Sequence, residues 1–137
     1  MGALRKRTGA SARCDAGAVS LAAERGERAE TLAAARLQAS GLKLLARNQR
    51  SRFGEIDLVM EDGATLVFVE VRYRAHADFG GAAASVTAAK RARLERAIRS
   101  YLAAHPAAAR KTLRADVVAI TGADEFEWIQ NAFEGMP

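Results

Sequence analysis

The sequence predicts a small mixed α/β domain, and three observations support that fold class. Apolar residues recur at helical spacing in two segments, 24–40 and 86–104. Five short segments between and after them are predicted strands, and two of these are rich in Ile, Val, Leu and Phe. The order α-β-β-β-α-β-β is typical of a mixed sheet with helices packed against it. With 137 residues, half of them hydrophobic, the chain suits one domain with a substantial core.

The first predicted helix runs from Glu24 to Ser40, where Ala, Glu, Arg and Leu give high helix propensity. Gly41 then fits the C-cap position. Residues 1–23 are rich in Ala, Arg, Gly and Ser and show no sustained apolar period. The predicted organisation is therefore a flexible basic tail over 1–23 and an α/β domain over 24–137.

A hairpin is predicted near the middle of the chain. The five predicted strands are 42–49, 55–60, 65–72, 115–120 and 126–130. Between the second and third strands lies Asp62-Gly63, and Asp-Gly is the strongest short hairpin signal. If these two residues form the loop, Asp57 lies opposite Phe68 and Glu55 lies opposite Glu70.

That register places several acids on one face of the hairpin. By the two-residue period of a strand, one face carries Glu55, Asp57, Leu66, Phe68, Glu70 and Arg72, and the other carries Ile56, Leu58, Val67, Val69 and Val71. Half-buried carboxylates that oppose each other are costly, and a bound Mg²⁺ or Mn²⁺ would relieve their repulsion. The alternative is a set of solvated carboxylates near the rim, paired with Arg52, Arg72 or Arg74.

Charge and composition narrow the function classes. The net charge of +5 favours an anionic partner, which is nucleic acid or an anionic membrane surface. No apolar run approaches the roughly 20 residues of a membrane span, so no membrane-spanning role is expected. A single cysteine and the lack of a clean secretory signal predict the cytoplasm.

The second helix carries five basic residues, Lys90, Arg91, Arg93, Arg96 and Arg99. They form either a phosphate-binding surface or an ordinary solvated face.

Several motifs in order resemble the YraN family of small bacterial proteins. They are Leu45-Ala46-Arg47-Asn48, the run 52–59 (RFGEIDLV), the run 67–74 (VFVEVRYR), Phe79-Gly80, Val86-Thr87 with Lys90, Asp116-Val117-Val118-Ala119-Ile120 and Asn131-Ala132-Phe133. The similarity covers about 24–133, nearly the whole predicted domain. The family is similar to restriction-endonuclease-like proteins and to archaeal Holliday-junction resolvases.

The resemblance implies a restriction-endonuclease-like fold and a metal-dependent nuclease site. Its signature is a helix-borne Glu, a strand Asp and then Glu-x-Lys, which match Glu30, Asp57 and Glu70 here. The lysine position holds Arg72, which stays protonated and cannot act as a general base. Lys90 on the second helix is the candidate replacement for that amine.

The sequence therefore leads to an endonuclease that acts on DNA, with branched DNA or repair intermediates as candidate substrates. The predicted catalytic residues are Glu30, Asp57, Glu70, Arg72 and Lys90; the predicted metal ligands are Asp57, Glu70 and Glu55; and the predicted nucleic-acid contacts are Arg52, Arg74, Arg91 and Arg93. The resemblance also implies a homodimer. The alternatives are a nucleic-acid-binding protein without turnover, favoured by Arg72, and an adaptor of the same fold.

Overall fold

One five-stranded mixed sheet organises the chain. A computed structural model describes residues 16–74, 87–122 and 125–133, with the side chains of residues 24–73 described in the first range. The elements are α1 (Ala16–Ala39), β1 (Lys43–Ser51), β2 (Gly54–Asp62), β3 (Thr65–Arg74), α2 (Ala88–Ala104), a 3-10 helix η1 (Ala108–Arg110), β4 (Thr112–Thr121) and β5 (Phe126–Ile129). The strand order is β1-β2-β3-β4-β5, with β3 and β4 parallel and the other neighbours antiparallel. This confirms the predicted element order and the restriction-endonuclease-like α/β fold class.

Helix α1 is longer than the sequence predicted. It begins at Ala16, whereas the composition indicated a start near Glu24. The remainder of the predicted tail, residues 1–15, lies outside the described residues. At the other end, Gly41 has a φ of 105°, and Leu42 N–H donates to the Leu37 carbonyl at 3.1 Å. This Schellman arrangement confirms the predicted cap. Neither α1 nor any other helix in the described ranges combines the length and the apolar character that a bilayer crossing requires.

The two faces of the sheet pack against different helices. On one face, Ala33 and Leu37 of α1 are fully buried against Val67, Val69 and Val118. On the other face, the predicted apolar stripe of α2 packs on the sheet, and this cluster includes Leu94, Ile98, Phe68 and Val117. The sheet is thus the middle layer between α1 and α2, which confirms the predicted packing of helices against it.

The β2–β3 hairpin corrects the predicted register. Asp62 pairs with Thr65 and Leu58 pairs with Val69, so the loop is Gly63-Ala64 and not Asp62-Gly63. Gly63 has a φ of 61°, and glycine at the first loop position is the arrangement of a type II′ turn. The shift is two residues, which leaves every residue of the paired segment on its predicted face.

A buried carboxylate fixes the end of the chain to the sheet. Asp116 of β4 is fully buried and accepts hydrogen bonds from Trp128 Nε1 at 2.9 Å and from Asn131 N–H at 2.9 Å. Arg114 Nε donates to it at 3.0 Å. Residues after β5 therefore return to the α2 face, where Phe133 is buried. The ring of Trp128 is half-buried against the α1 side.

Candidate active site

The candidate site lies where β2 and β3 stop pairing. The last backbone pair of the hairpin is Leu58 with Val69. Asp57 is the residue before Leu58 in β2, and its Oδ2 accepts a hydrogen bond from Val71 N–H at 2.8 Å. The Asp57 carboxylate thus takes the place of a backbone carbonyl of β2 as the hydrogen-bond acceptor for the Val71 amide. Ile56, predicted to share a face with Leu58, is instead buried on the α2 side, although it still pairs with Gln49 of β1; the strict alternation of the hairpin does not extend to this part of β2.

Asp57 and Glu70 form a half-buried acidic pair in the fork that opens where β2 and β3 stop pairing. Burial raises the pKa of Asp57 from 3.8 to about 8, and the negative charge of Glu70 adds to the increase. The pKa of Glu70 is also raised, again mainly by burial, although the charge and hydrogen bond of Arg72 oppose the change. The two carboxyl groups are close enough for a hydrogen bond. Such a bond requires a proton on one of them, so the metal-free pair shares a proton near neutral pH.

Three cationic residues, Arg72, Lys90 and Arg93, line the cavity beside this pair. Arg72 NH1 donates to Glu70 Oε2 at 3.2 Å, and the positive charge of Lys90 lowers the pKa of Glu70. A cavity of about 200 Å³ opens beside the pair. Its lining residues are Gly54, Glu55, Asp57, Glu70, Arg72, Lys90, Arg93 and Leu94. Six residues predicted from the sequence are therefore brought together from β2, β3 and α2.

The start of α2 determines where Lys90 lies. Thr87 caps the helix, and its Oγ1 accepts a hydrogen bond from Lys90 N–H at 3.2 Å. Lys90 is therefore in the first turn, facing the cavity on the α2 side of the sheet. The Val86-Thr87 motif quoted above thus includes the helix cap, although Val86 itself lies outside the described residues.

Glu30 lies near the pair but outside the cavity lining. Its Oε1 accepts a hydrogen bond from Asn48 Nδ2 at 2.9 Å and lies 3.7 Å from Arg47 NH2. Its negative charge contributes to the raised pKa of Asp57. Asn48 has a φ of 50°, a conformation that few side chains other than Asn adopt. The sequence prediction gave Asn48 no role, and the only available signal was an Asn-containing motif at the end of a basic strand.

The other predicted nucleic-acid contacts lie outside the cavity lining. The Arg52 guanidinium carbon is 4.9 Å from the centre of the Phe53 ring, and that of Arg91 is 5.9 Å from the centre of the Phe133 ring. The side chain of Arg74 lies outside the described part of the chain. Within the described ranges, no group of three or more His, Cys, Asp or Glu side chains is arranged to hold a metal ion.

The fold and this fork define a small protein of the restriction-endonuclease-like α/β class. Residues 29–120 match the model of a family described as "Uncharacterised protein family UPF0102", and the chain belongs to that family. This confirms the resemblance to YraN proteins. The chain is similar to a UPF0102 protein of Nitrosomonas europaea, with 52% identity over 85% of this chain and 98% of the relative. A UPF0102 protein of Halorhodospira halophila is 53% identical over 80% of this chain and 87% of the relative.

Proposed function

We propose that this protein is a divalent-metal-dependent endonuclease that hydrolyses phosphodiester bonds of DNA. One observation carries the proposal: two half-buried carboxyl groups, Asp57 and Glu70, share a fork of the sheet beside a cavity that is also lined by Arg72, Lys90 and Arg93. Half-buried acids with raised pKa values are costly to the fold, and such groups cluster at functional sites. Adjacent cations suit an anionic substrate such as a phosphodiester.

The acidic pair fits a hard divalent cation. Mg²⁺ is commonly held by one or two carboxylates and completes its coordination with water and substrate phosphate, so a third acid is not required. Asp57 and Glu70 would hold the ion, and Glu55 lines the same cavity. A bound Mg²⁺ or Mn²⁺ would supply an activated water and stabilise charge on the phosphate oxygens.

The side chains of this protein have distinct roles in the proposed site. Val71 N–H orients the Asp57 carboxylate, and Arg72 holds that of Glu70. Because Arg72 forms an ion pair with Glu70, Lys90 and Arg93 are the cavity cations that would bind the scissile phosphate. Lys90 is therefore the candidate for the amine that the resemblance expects at the position of Arg72. Glu30, oriented by Asn48, acts from the α1 side through its charge on Asp57.

A second candidate function is DNA binding without turnover. The observation that favours it is the ion pair of Arg72 with Glu70, since an arginine here cannot exchange a proton with the attacking water. In that case the acidic pair would be a vestige of a nuclease site and the basic cavity wall would still bind phosphate.

Cleavage of a defined DNA panel tests the proposal. Labelled duplex, single-stranded, flap and four-way-junction DNA are incubated with the protein in Mg²⁺, in Mn²⁺ or in EDTA. The variants are Asp57→Asn and Glu70→Gln, which keep the shape of each side chain and remove its charge. Glu127→Gln, at an exposed position of β5, is the matched control.

We expect cutting that needs the metal, disappears in both site variants and persists in Glu127→Gln. If the wild-type protein shifts DNA in a gel but cuts none of the four substrates with either metal, the enzyme proposal is wrong and the binding function stands. If Asp57→Asn cuts as fast as the wild type, the activity belongs to another site or to a contaminant.

A further inference from the structure

A rigid turn lies next to the candidate site. Strands β1 and β2 are joined by Arg52-Phe53, and Ser51 pairs with Gly54 across the turn. Ser51 Oγ accepts a hydrogen bond from Phe53 N–H at 3.1 Å and donates one to the Gly54 carbonyl at 3.0 Å. Gly54 has a φ of 146°, which a side chain would strain. The backbone of the turn is therefore fixed by two hydrogen bonds and by the conformation of Gly54.

These two side chains form a stacked pair. The guanidinium carbon of Arg52 lies over the Phe53 ring, 4.9 Å from its centre. Arg52 is exposed, and Phe53 is half-buried but belongs to neither of the two core clusters on the faces of the sheet. The ring thus supports a guanidinium at the surface and contributes nothing to either cluster.

The stacked pair adjoins the cavity. Gly54 and Glu55, the next two residues in the chain, line the cavity together with Lys90 and Arg93. A Cβ on Gly54 would come within 3.9 Å of Arg93, which shows how closely the turn approaches α2. A DNA strand whose phosphate contacts Lys90 and Arg93 would therefore bring its neighbouring bases close to Arg52.

We infer that Arg52 and Phe53 form a stacking site for an unpaired base of DNA, adjacent to the proposed phosphate site. Aromatic rings and guanidinium planes stack on bases whose faces are free. In continuous duplex DNA the neighbouring base pairs cover those faces. The inference rests on the proposed function for its ligand and adds a substrate class: DNA with an unpaired stretch, in preference to continuous duplex.

Binding measured in EDTA tests this without any dependence on cleavage. Fluorescence anisotropy compares a duplex that has a single-stranded gap with the same duplex fully paired, each over a range of salt concentrations. Arg52→Lys keeps the charge and removes the planar group, and Phe53→Leu keeps apolar volume and removes the ring. Phe53→Tyr keeps the ring, and Arg99→Lys makes the charge-conserving change at an exposed residue of α2. Urea unfolding checks that each variant is folded.

We expect the wild type to prefer gapped DNA, and Arg52→Lys and Phe53→Leu each to lose about tenfold in affinity for it. Affinity for the duplex and the salt dependence should stay unchanged, since stacking releases no counterions. Phe53→Tyr and Arg99→Lys should behave as the wild type. A 2-aminopurine in the gap should be quenched by the wild type and not by Phe53→Leu.

Equal losses on gapped and duplex DNA would overturn the inference, because they would indicate a phosphate contact. Unchanged gapped-DNA affinity in both variants would overturn it as well. A preference for gapped DNA that depends on Arg52 and Phe53, in a protein that cuts nothing, would support the stacking site while refuting the nuclease. Metal-dependent cleavage by a protein that shows no preference for gapped DNA would support the nuclease and refute the stacking site.

Discussion

Replacing Asp57 by asparagine should stabilise the metal-free protein. The amide oxygen of the new side chain can still accept the hydrogen bond from Val71 N–H, and its NH₂ group can donate to Glu70. The substitution therefore keeps the shape and the hydrogen bonds of the fork and removes one of its two half-buried ionisable groups. The matched control is Glu55→Gln, which removes an exposed carboxylate from the same cavity.

The size of the effect follows from the pKa of Asp57. Its rise from 3.8 to about 8 corresponds to at most about 6 kcal/mol of lost stability once the group is ionised in the folded protein. Because the pair shares a proton and the fork can relax, we expect a gain of about 2–4 kcal/mol in the free energy of unfolding. Glu55→Gln should change that free energy by no more than about 0.5 kcal/mol.

The pH dependence gives a second, independent signature. Between about pH 4 and pH 8 the folded protein holds a proton on Asp57 that the unfolded chain has released. The contribution of this group to stability is therefore complete below pH 4 and is lost as the pH rises through about 8. Asp57→Asn lacks this loss, so its advantage over the wild type should grow as the pH rises from 5 to 9.

Urea unfolding followed by the fluorescence of Trp128, the single tryptophan, measures both effects in EDTA. Added Mg²⁺ or Mn²⁺ should stabilise the wild type and leave Asp57→Asn nearly unchanged, because the variant lacks one of the two carboxylates. If Asp57→Asn is no more stable than the wild type at any pH, or if the difference does not grow with pH, the description of Asp57 as a half-buried acid with a raised pKa is wrong.

Three further predictions concern residues around the site. Asn48→Gly and Asn48→Ala both lose the hydrogen bond to Glu30, but only alanine is strained by the positive φ at this position. In urea unfolding, the alanine variant should therefore be about 1–2 kcal/mol less stable than the glycine variant. Equal stabilities would contradict the assigned backbone conformation. Lys90→Met should reduce the salt dependence of DNA binding by about one ion, whereas Arg99→Met should not, and an unchanged slope in Lys90→Met would remove Lys90 from the phosphate site. Asp116→Ala removes the buried acceptor that Trp128, Asn131 and Arg114 share and should lower the free energy of unfolding by about 3–5 kcal/mol; a loss below about 1 kcal/mol would refute its role as an anchor.

The faces of the paired part of the hairpin could be predicted from the sequence because they depend only on the parity of strand positions. The hairpin register was wrong by two residues, yet an even shift changes no side of a strand, so residues 58–62 and 65–69 kept their predicted faces. A hydrophobic pattern and an Asp-Gly signal are enough to determine that parity. They do not determine which two residues form the loop, because Gly63 can occupy either position of such a turn.

Features that depend on broken periodicity could not be predicted. Ile56 lies on the α2 side, in the part of β2 that pairs with β1 but not with β3, and a two-residue period contains no information about where pairing ends. The contact of Asn48 with Glu30 joins residues of α1 and β1 through a backbone conformation that no propensity predicts. The burial of Asp116 depends on a chain end that folds back across the sheet, which the sequence alone does not reveal.

The hydrogen bond from Val71 to Asp57 makes one backbone amide a reporter on the site. In an ordinary strand, exchange of such an amide with deuterated solvent reports the opening of the sheet. Here the acceptor is a carboxylate whose ionisation and ligands can change while the sheet stays closed. The exchange rate and the proton chemical shift of Val71 N–H should therefore follow the state of Asp57, so that a single resonance would record when the fork is protonated, ionised or occupied.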